Sequence, residues 1–236
     1  MARNLLVAVL IVALVLCLAL PLFISMALGF RRPWLGIGTW AVRLCARILG
    51  IKIELRGVEN LPAGGPAVYM PNHVSLLDGP LVVAFLRRRV RVIIKKEAFR
   101  LPVIGTGMKF IGFVPVDRKG GASGKTAIEN AVETVKASGD PFVVFPEGTR
   151  SRDGRLQKFR RGGFFLAVQS GSPIVPVAIQ GSRALMPKGS RFIRSGPVRF
   201  TFLPAIPTAG ETAQSLPRLM ERVREPLART LAEEFP

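Results

Sequence analysis

Histidine is the scarcest useful side chain in these 236 residues: there is one, His73, and any imidazole proton chemistry at neutral pH must go through it. Cysteine is almost as rare. Cys17 and Cys45 stand apart with no CxxC pair, which argues against a disulfide framework and, with a single histidine, against a zinc site. Reduced thiols, no metal and no cofactor are expected. No G-x-S-x-G elbow occurs, which lowers the case for a serine hydrolase and favours direct attack by a substrate oxygen. Acidic residues are few, 15 against 34 Lys plus Arg, for a net charge of +19. That balance points to a polyanionic partner, nucleic acid or anionic lipid, and composition does not choose between them.

Charge is missing altogether from Leu5 to Phe30. As a helix this run would extend ~39 Å, beyond the ~30 Å hydrocarbon core of a bilayer. It is too long for the apolar part of a signal peptide and no cleavage site follows it, so a retained anchor is expected. Pro21 interrupts it and predicts a kink or a re-entrant bend. Arg31, Arg32, Arg43, Arg47 and Lys52 follow the run whereas only Arg3 and the amino terminus precede it, which puts the bulk of the chain on the cytoplasmic side. Trp34 to Leu49 reads as a second helix, apolar around most of its circumference. Holding both tryptophans, Trp34 and Trp40, it suits the headgroup level of a membrane; the alternative is a core helix packed on the domain. Residues 1–50 are thus expected to form a two-helix membrane motif and residues 51–236 one folded domain.

From Ile51 the pattern changes to short apolar strands alternating with helices. Strands are predicted at Ile51–Leu55, Ala67–Met70, Val90–Ile94, Gly112–Val116, Pro141–Phe145, Ile174–Ile179 and Val198–Leu203. Helices are predicted near Leu76–Arg87, Lys125–Ala137, Arg160–Gln169 and Leu216–Glu234. Such alternation implies an α/β domain built on a mainly parallel, buried sheet flanked by helices.

His73 falls in the turn after the strand ending at Met70, with Ser75 opening the next helix and Asp78 five residues on. On a regular helix that spacing would point the two side chains about 140° apart, so they meet only if the chain curls at His73 before becoming helical. An Asp78 oxygen would then fix the tautomer of the ring and leave its other nitrogen free to take a proton. Ser75-x-x-Asp78 also reads as a capping box, and one carboxylate can serve both ends.

Phe145-Pro146-Glu147-Gly148-Thr149-Arg150 follows another strand, and loops at the carboxyl ends of parallel strands gather at one edge of a sheet. Its Arg, Thr and Gly suit a phosphate monoester; Glu147 is expected to orient Arg150 or accept from a substrate hydroxyl. Asp117-Arg118 ends a third strand. Basic clusters at 87–96, with Lys95 among them, and at 150–161 flank these segments. Lys119 to Thr126 ends in GKT, but the Gly that should open a phosphate-binding loop is replaced by Lys119, so nucleotide binding is not expected.

Asn72-His73-x-x-x-x-Asp78, Lys95-Lys96-Glu97 with Gly112 to Arg118, Phe145 to Arg150, and Val175-Pro176-Val177-Ala178-Ile179 together resemble the four ordered blocks of the 1-acyl-sn-glycerol-3-phosphate acyltransferases. The resemblance runs from Asn72 to Ser182. It implies transfer of an acyl chain from acyl-CoA or acyl-carrier protein to the sn-2 hydroxyl of lysophosphatidic acid at a membrane, giving phosphatidic acid. It implies His73 as general base, Asp78 as its orienting partner, and Arg118, Glu147, Gly148, Thr149 and Arg150 around the glycerol phosphate, with Lys95 as a further substrate-binding candidate. Anionic membrane lipid then becomes the expected polyanion, and nucleic acid does not. Two departures stand out: Pro115-Val116-Asp117-Arg118 where the family reads closer to Phe-Ile-x-Arg, and Phe159-Arg160-Arg161-Gly162 with Arg where Lys is usual. Backbone amides at the start of the Ser75 helix are expected to stabilise the oxyanion. A different lysolipid acceptor, or a basic non-catalytic module on anionic membrane, is the competing reading.

Overall fold

A computed structural model describes residues 2–86, 88–117 and 122–235. Seven strands form one sheet: β1 (Ile51–Arg56), β2 (Val68–Pro71), β3 (Arg91–Lys95), β4 (Val114–Val116), β5 (Phe142–Val143), β6 (Ile174–Gln180) and β7 (Gly196–Phe202). Their order is β1-β7-β6-β2-β5-β3-β4, and every pairing is parallel except β6 with β7. The helices are α1 (Ala2–Ala27), α2 (Arg32–Leu49), α3 (Asp78–Phe85), α4 (Ile104–Phe110), α5 (Ala122–Ser138), α6 (Arg161–Ser170), α7 (Ser182–Leu185) and α8 (Leu216–Ala232). The α/β class with a mainly parallel sheet is what the alternation predicts.

Strand periodicity divides the core in two. Tyr69, Val143, Val177 and Phe200 point to the face covered by α2 and α3, while Val68, Met70, Phe142, Val144 and Ile174 point to the face covered by α5, α6 and α8. Each such fully buried large side chain contributes roughly 1.5–3 kcal/mol. Both faces being covered explains why inner strands such as β2 and β6 read as unbroken apolar runs, whereas β1 at the sheet edge alternates as Ile-Lys-Ile-Glu-Leu-Arg.

Among the differences from expectation, two boundaries and one unforeseen helix have clear physical reasons. β5 is held between Pro141 and Pro146 and has only two strand residues, although Val144 N still donates to Tyr69 O at 2.9 Å. The helix expected from Leu76 to Arg87 begins at Asp78, because the Asp78 carboxylate pulls the preceding turn onto itself; Arg87 lies outside the described residues. α4 was not foreseen, since Gly105 and Gly107 dilute a seven-residue helix to the point of invisibility. Gly105 is nonetheless required there: a Cβ would lie 2.2 Å from Phe99 O.

α1 continues as one helix through Pro21, so of the kink or re-entrant bend expected there the re-entrant form is not seen, and the helix is long and apolar enough to cross a membrane. Leu5, Val9, Val12, Leu16, Leu20 and Phe23 are exposed on it, while Val7 and Leu22 are buried. Its first turn is tied to the domain, since Asn4 Nδ2 donates to Ile193 O at 2.8 Å and Ile193 N to Asn4 Oδ1 at 2.7 Å. α2 has two sides. Ala46 and Leu49 enter the core and Arg43 Nε donates to Ala84 O at the end of α3, while Trp40 is exposed.

Candidate active site

The carboxyl end of β2 delivers His73. Asn72 leaves the strand by bonding β6 with both ends of its amide, to Ile179 O at 3.1 Å and from Ile179 N at 2.7 Å, so its side chain replaces the ladder where the chain turns away. His73 itself is gripped through its backbone: its N–H donates to Glu147 Oε1 at 2.6 Å and its carbonyl accepts from Ser151 N at 2.8 Å. Its ring lies against Phe145, with centroids 4.1 Å apart.

The curl is built by Asp78, which is fully buried. Its Oδ2 accepts from His73 Nδ1 at 2.9 Å, Val74 N at 2.8 Å and Ser75 N at 2.7 Å, and its Oδ1 accepts from Ser182 Oγ at 2.6 Å. A carboxylate oxygen only accepts, so the Nδ1 of neutral His73 is its protonated nitrogen and the lone pair sits on Nε2, which has no partner among the described residues. Half of the capping box is present as well. Asp78 reaches back to Ser75 N, but Ser75 Oγ donates to Met186 O and accepts from Leu77 N in place of closing the box. Because Val74 and Ser75 spend their N–H groups on Asp78, and Leu77 on Ser75 Oγ, these three amides are not the oxyanion donors expected there.

The loop after β5 brings the second set of residues. Glu147 is 2% exposed, and both of its oxygens are held by backbone amides, Oε1 by His73 N and Oε2 by Gln157 N at 3.0 Å. It therefore neither orients Arg150 nor faces a substrate hydroxyl; it ties the histidine turn to the segment before α6. Burial raises its carboxyl above the ordinary range, with the two amide bonds pulling the other way. Gly148 has φ +69°, a conformation that favours glycine, and a Cβ there would lie 2.7 Å from Arg160 Cδ and push that side chain aside. Thr149 is held through its carbonyl by Gln157 Nε2 at 3.4 Å, and Arg150 through its carbonyl by Lys188 Nζ at 2.9 Å.

His73, Lys95 and Arg150 line one cavity of about 510 Å³. Its remaining wall is largely apolar, from Leu35 and Val42 of α2, Val83 of α3, and Ile104 and Met108 of α4. Lys95 lies 3.4 Å from Glu97 and remains about half exposed. Neighbouring Lys96 pairs with Asp117. Arg118 and the start of the Lys119 to Thr126 stretch lie outside the described residues. Ser182 was missed by sequence reasoning; nothing local distinguishes it from other serines, because its partner is 104 residues away. No cluster of three or more metal-ligating side chains occurs among the described residues.

The arrangement can take a proton at Nε2 beside an apolar chamber with two cations at hand. Its relatives fit that chemistry. Residues 52–180 match the Acyltransferase family model. The chain is 39% identical over 150 residues to the chloroplastic 1-acyl-sn-glycerol-3-phosphate acyltransferase BAT2 of Brassica napus, covering 63% of this chain and 43% of that one. It is 32% identical over 186 residues to the human 1-acyl-sn-glycerol-3-phosphate acyltransferase alpha, covering 79% and 66%. The matches thus span less than two thirds of these relatives' own lengths. The crystal structure of the 1-acyl-sn-glycerophosphate acyltransferase PlsC from Thermotoga maritima superposes with a TM-score of 0.81 at 26% identity, over 100% of this chain and 99% of that one. With the fold shared from end to end and the family model matched over more than half of its residues, the chain belongs to the acyltransferase family.

Proposed function

We propose that this chain is a membrane-associated enzyme that moves an acyl chain from a thioester, acyl-CoA or acyl-carrier protein, to the sn-2 hydroxyl of lysophosphatidic acid. The observation that carries the reading is the free Nε2 of an Asp78-paired histidine at the wall of an apolar cavity that Arg150 and Lys95 also line. An acyl chain has the chemistry for the apolar part and a phosphate that for the two cations. As the hydroxyl oxygen attacks the thioester carbonyl, its proton passes to Nε2; the C–S bond breaks as the new C–O ester bond is completed, and the imidazolium returns the proton to the leaving thiolate. Asp78 stabilises the imidazolium meanwhile. Glu147 holds the backbone of His73, and no acyl-enzyme is formed.

Phosphatidic acid and a free thiol are the products. Two cations favour the dianionic phosphate monoester of lysophosphatidic acid over lysolipids whose phosphodiester carries one charge. A non-catalytic basic module would leave the His73, Asp78 and Ser182 network without a purpose.

Membrane attachment rests on α1 with its exposed apolar row, on Trp40 at the surface of α2, and on Arg31 and Arg32 after the apolar run, which also favour a cytoplasmic catalytic domain. The test is thiol release from acyl-CoA and from acyl-carrier protein against a panel of lysolipids. Release that depends on lysophosphatidic acid supports the reading, and release indifferent to any acceptor contradicts it.

A further inference from the structure

The chamber described above faces α2 and α3, yet the other face of the sheet carries a basic groove that no step so far uses. It is about 840 Å³ in volume and lies between the start of α6 and α8, lined by Lys158, Arg160, Arg161, Met220, Glu221 and Arg224 among others. Four cations meet one carboxylate. Arg224 is committed to structure, donating to Gln157 O and Leu156 O and lying over the Phe159 ring. Lys158 and Arg161 are exposed and have no hydrogen-bond or ion-pair partner among the described residues.

The groove adjoins a second cleft that reaches the ring packed on His73. Arg160 also lines a narrower cleft of about 170 Å³ that passes Gly148 and Pro146 to Phe145. Phe145 and Ile93 in turn line the acyl-sized chamber, and Phe145 is the ring packed on His73. The three cavities are thus neighbours along the carboxyl edge of the sheet: the apolar chamber at His73 shares Ile93 and Phe145 with the narrow cleft, and the cleft shares Arg160 with the basic groove. That sequence of environments matches a phosphopantetheine thioester read from one end to the other, with an apolar chain, a thioester, a slender uncharged amide arm and an anionic phosphate.

We propose that the groove between α6 and α8 binds the phosphate-bearing end of the acyl donor, with Lys158 and Arg161 as its contacts and the cleft at Gly148 as the passage for the arm. This rests on the acyl-transfer reading above and deepens it. The groove lies on the sheet face opposite α2, so a water-soluble donor and a membrane-borne acceptor approach His73 from different sides. The same phosphate is present in CoA and in the prosthetic arm of acyl-carrier protein.

The experiment uses the full-length chain, with Lys158→Glu and Arg161→Glu combined and Arg218→Glu, exposed on α8 outside the groove, as the charge control. Three octanoyl donors are compared: the CoA thioester, the carrier-protein thioester and the N-acetylcysteamine thioester, which has no phosphate. Binding of CoA alone is measured by calorimetry. The expected result is a tenfold or greater rise in KM for octanoyl-CoA and in the Kd for CoA, with the N-acetylcysteamine thioester within twofold of wild type and Arg218→Glu unchanged. A parallel loss on the carrier-protein donor extends the site to that source. The proposal is overturned by equal losses on donors with and without phosphate, by an unchanged Kd for CoA, or by a loss confined to the carrier protein, which would make the groove a protein-docking surface. If wild type turned over none of the donors, the acyl-transfer reading would fail while the CoA Kd still decided the groove.

Discussion

Replacing Asp78 by Asn separates the charge of the buried carboxylate from its shape. Asn is isosteric, and its carbonyl oxygen can occupy the place of Oδ2, facing His73 Nδ1, Val74 N and Ser75 N, while its amide takes the place of Oδ1 and donates to Ser182 Oγ. Four bonds then fall from charge-assisted strength, roughly 1.5–3 kcal/mol each, to neutral strength, roughly 0.5–1.5. Against this, the chain no longer desolvates a carboxylate, whose burial costs several kcal/mol. The two changes largely offset one another, so the unfolding midpoint should move little. Catalysis has no such compensation. An imidazolium formed at His73 loses a countercharge 2.9 Å away, an attraction of about 6 kcal/mol at an effective dielectric constant near 20. With part of that recovered by solvent, kcat should fall about 10³- to 10⁴-fold with KM for both substrates nearly unchanged. The assay is continuous thiol release under saturating donor and lysophosphatidic acid, alongside circular dichroism. A folded variant within tenfold of wild-type kcat would refute the role given to the Asp78 charge.

Arg150→Ala should raise KM for lysophosphatidic acid roughly 10- to 100-fold, the loss of one charge-assisted contact of about 1.5–3 kcal/mol, and leave KM for the donor within threefold; equal weakening of both substrates would count against a phosphate site at Arg150. Because burial raises the carboxyl pKa of Glu147 above its unfolded value near 4.5, the folded chain binds that proton more tightly, and stability is greatest below the unfolded value and falls as pH rises through the raised one. Urea midpoints of wild type relative to Glu147→Gln should therefore decline from pH 4 to pH 7, and a pH-independent difference would contradict the buried ionisation. Removing residues 1–30 should convert a detergent-requiring protein into a salt-extractable one that still acts on soluble short-chain lysophosphatidic acid, although Ile193 loses Asn4; complete loss on the soluble substrate would mean that α1 helps to build the site.

The parts of the molecule legible in its sequence are those that local chemistry dictates. The inner strands were readable because a doubly covered parallel sheet demands continuous apolar runs such as Ile174 to Ile179. The meeting of His73 and Asp78 was readable as a geometric condition, a curl before the helix, and the curl is there. What local reading misjudged depends on distant backbone. Glu147 looks like a substrate ligand until His73 N, 74 residues away, and Gln157 N are seen to occupy it. Likewise Ser182 and Asn72 gain their meaning only when β6 lies beside β2. The helix α4, which walls the chamber with Ile104 and Met108, is too short and too glycine-rich to announce itself.

The central claim is that the one histidine of the chain is the proton acceptor in acyl transfer to a lysolipid hydroxyl. Its most direct measurement is the rate of thiol release from acyl-CoA, with and without lysophosphatidic acid, for wild type and His73→Ala reconstituted in the same vesicles. The account predicts acceptor-dependent release with formation of phosphatidic acid for wild type, and a loss of at least 10³-fold for a variant that remains folded and membrane-bound. Near-normal turnover without His73 would contradict it.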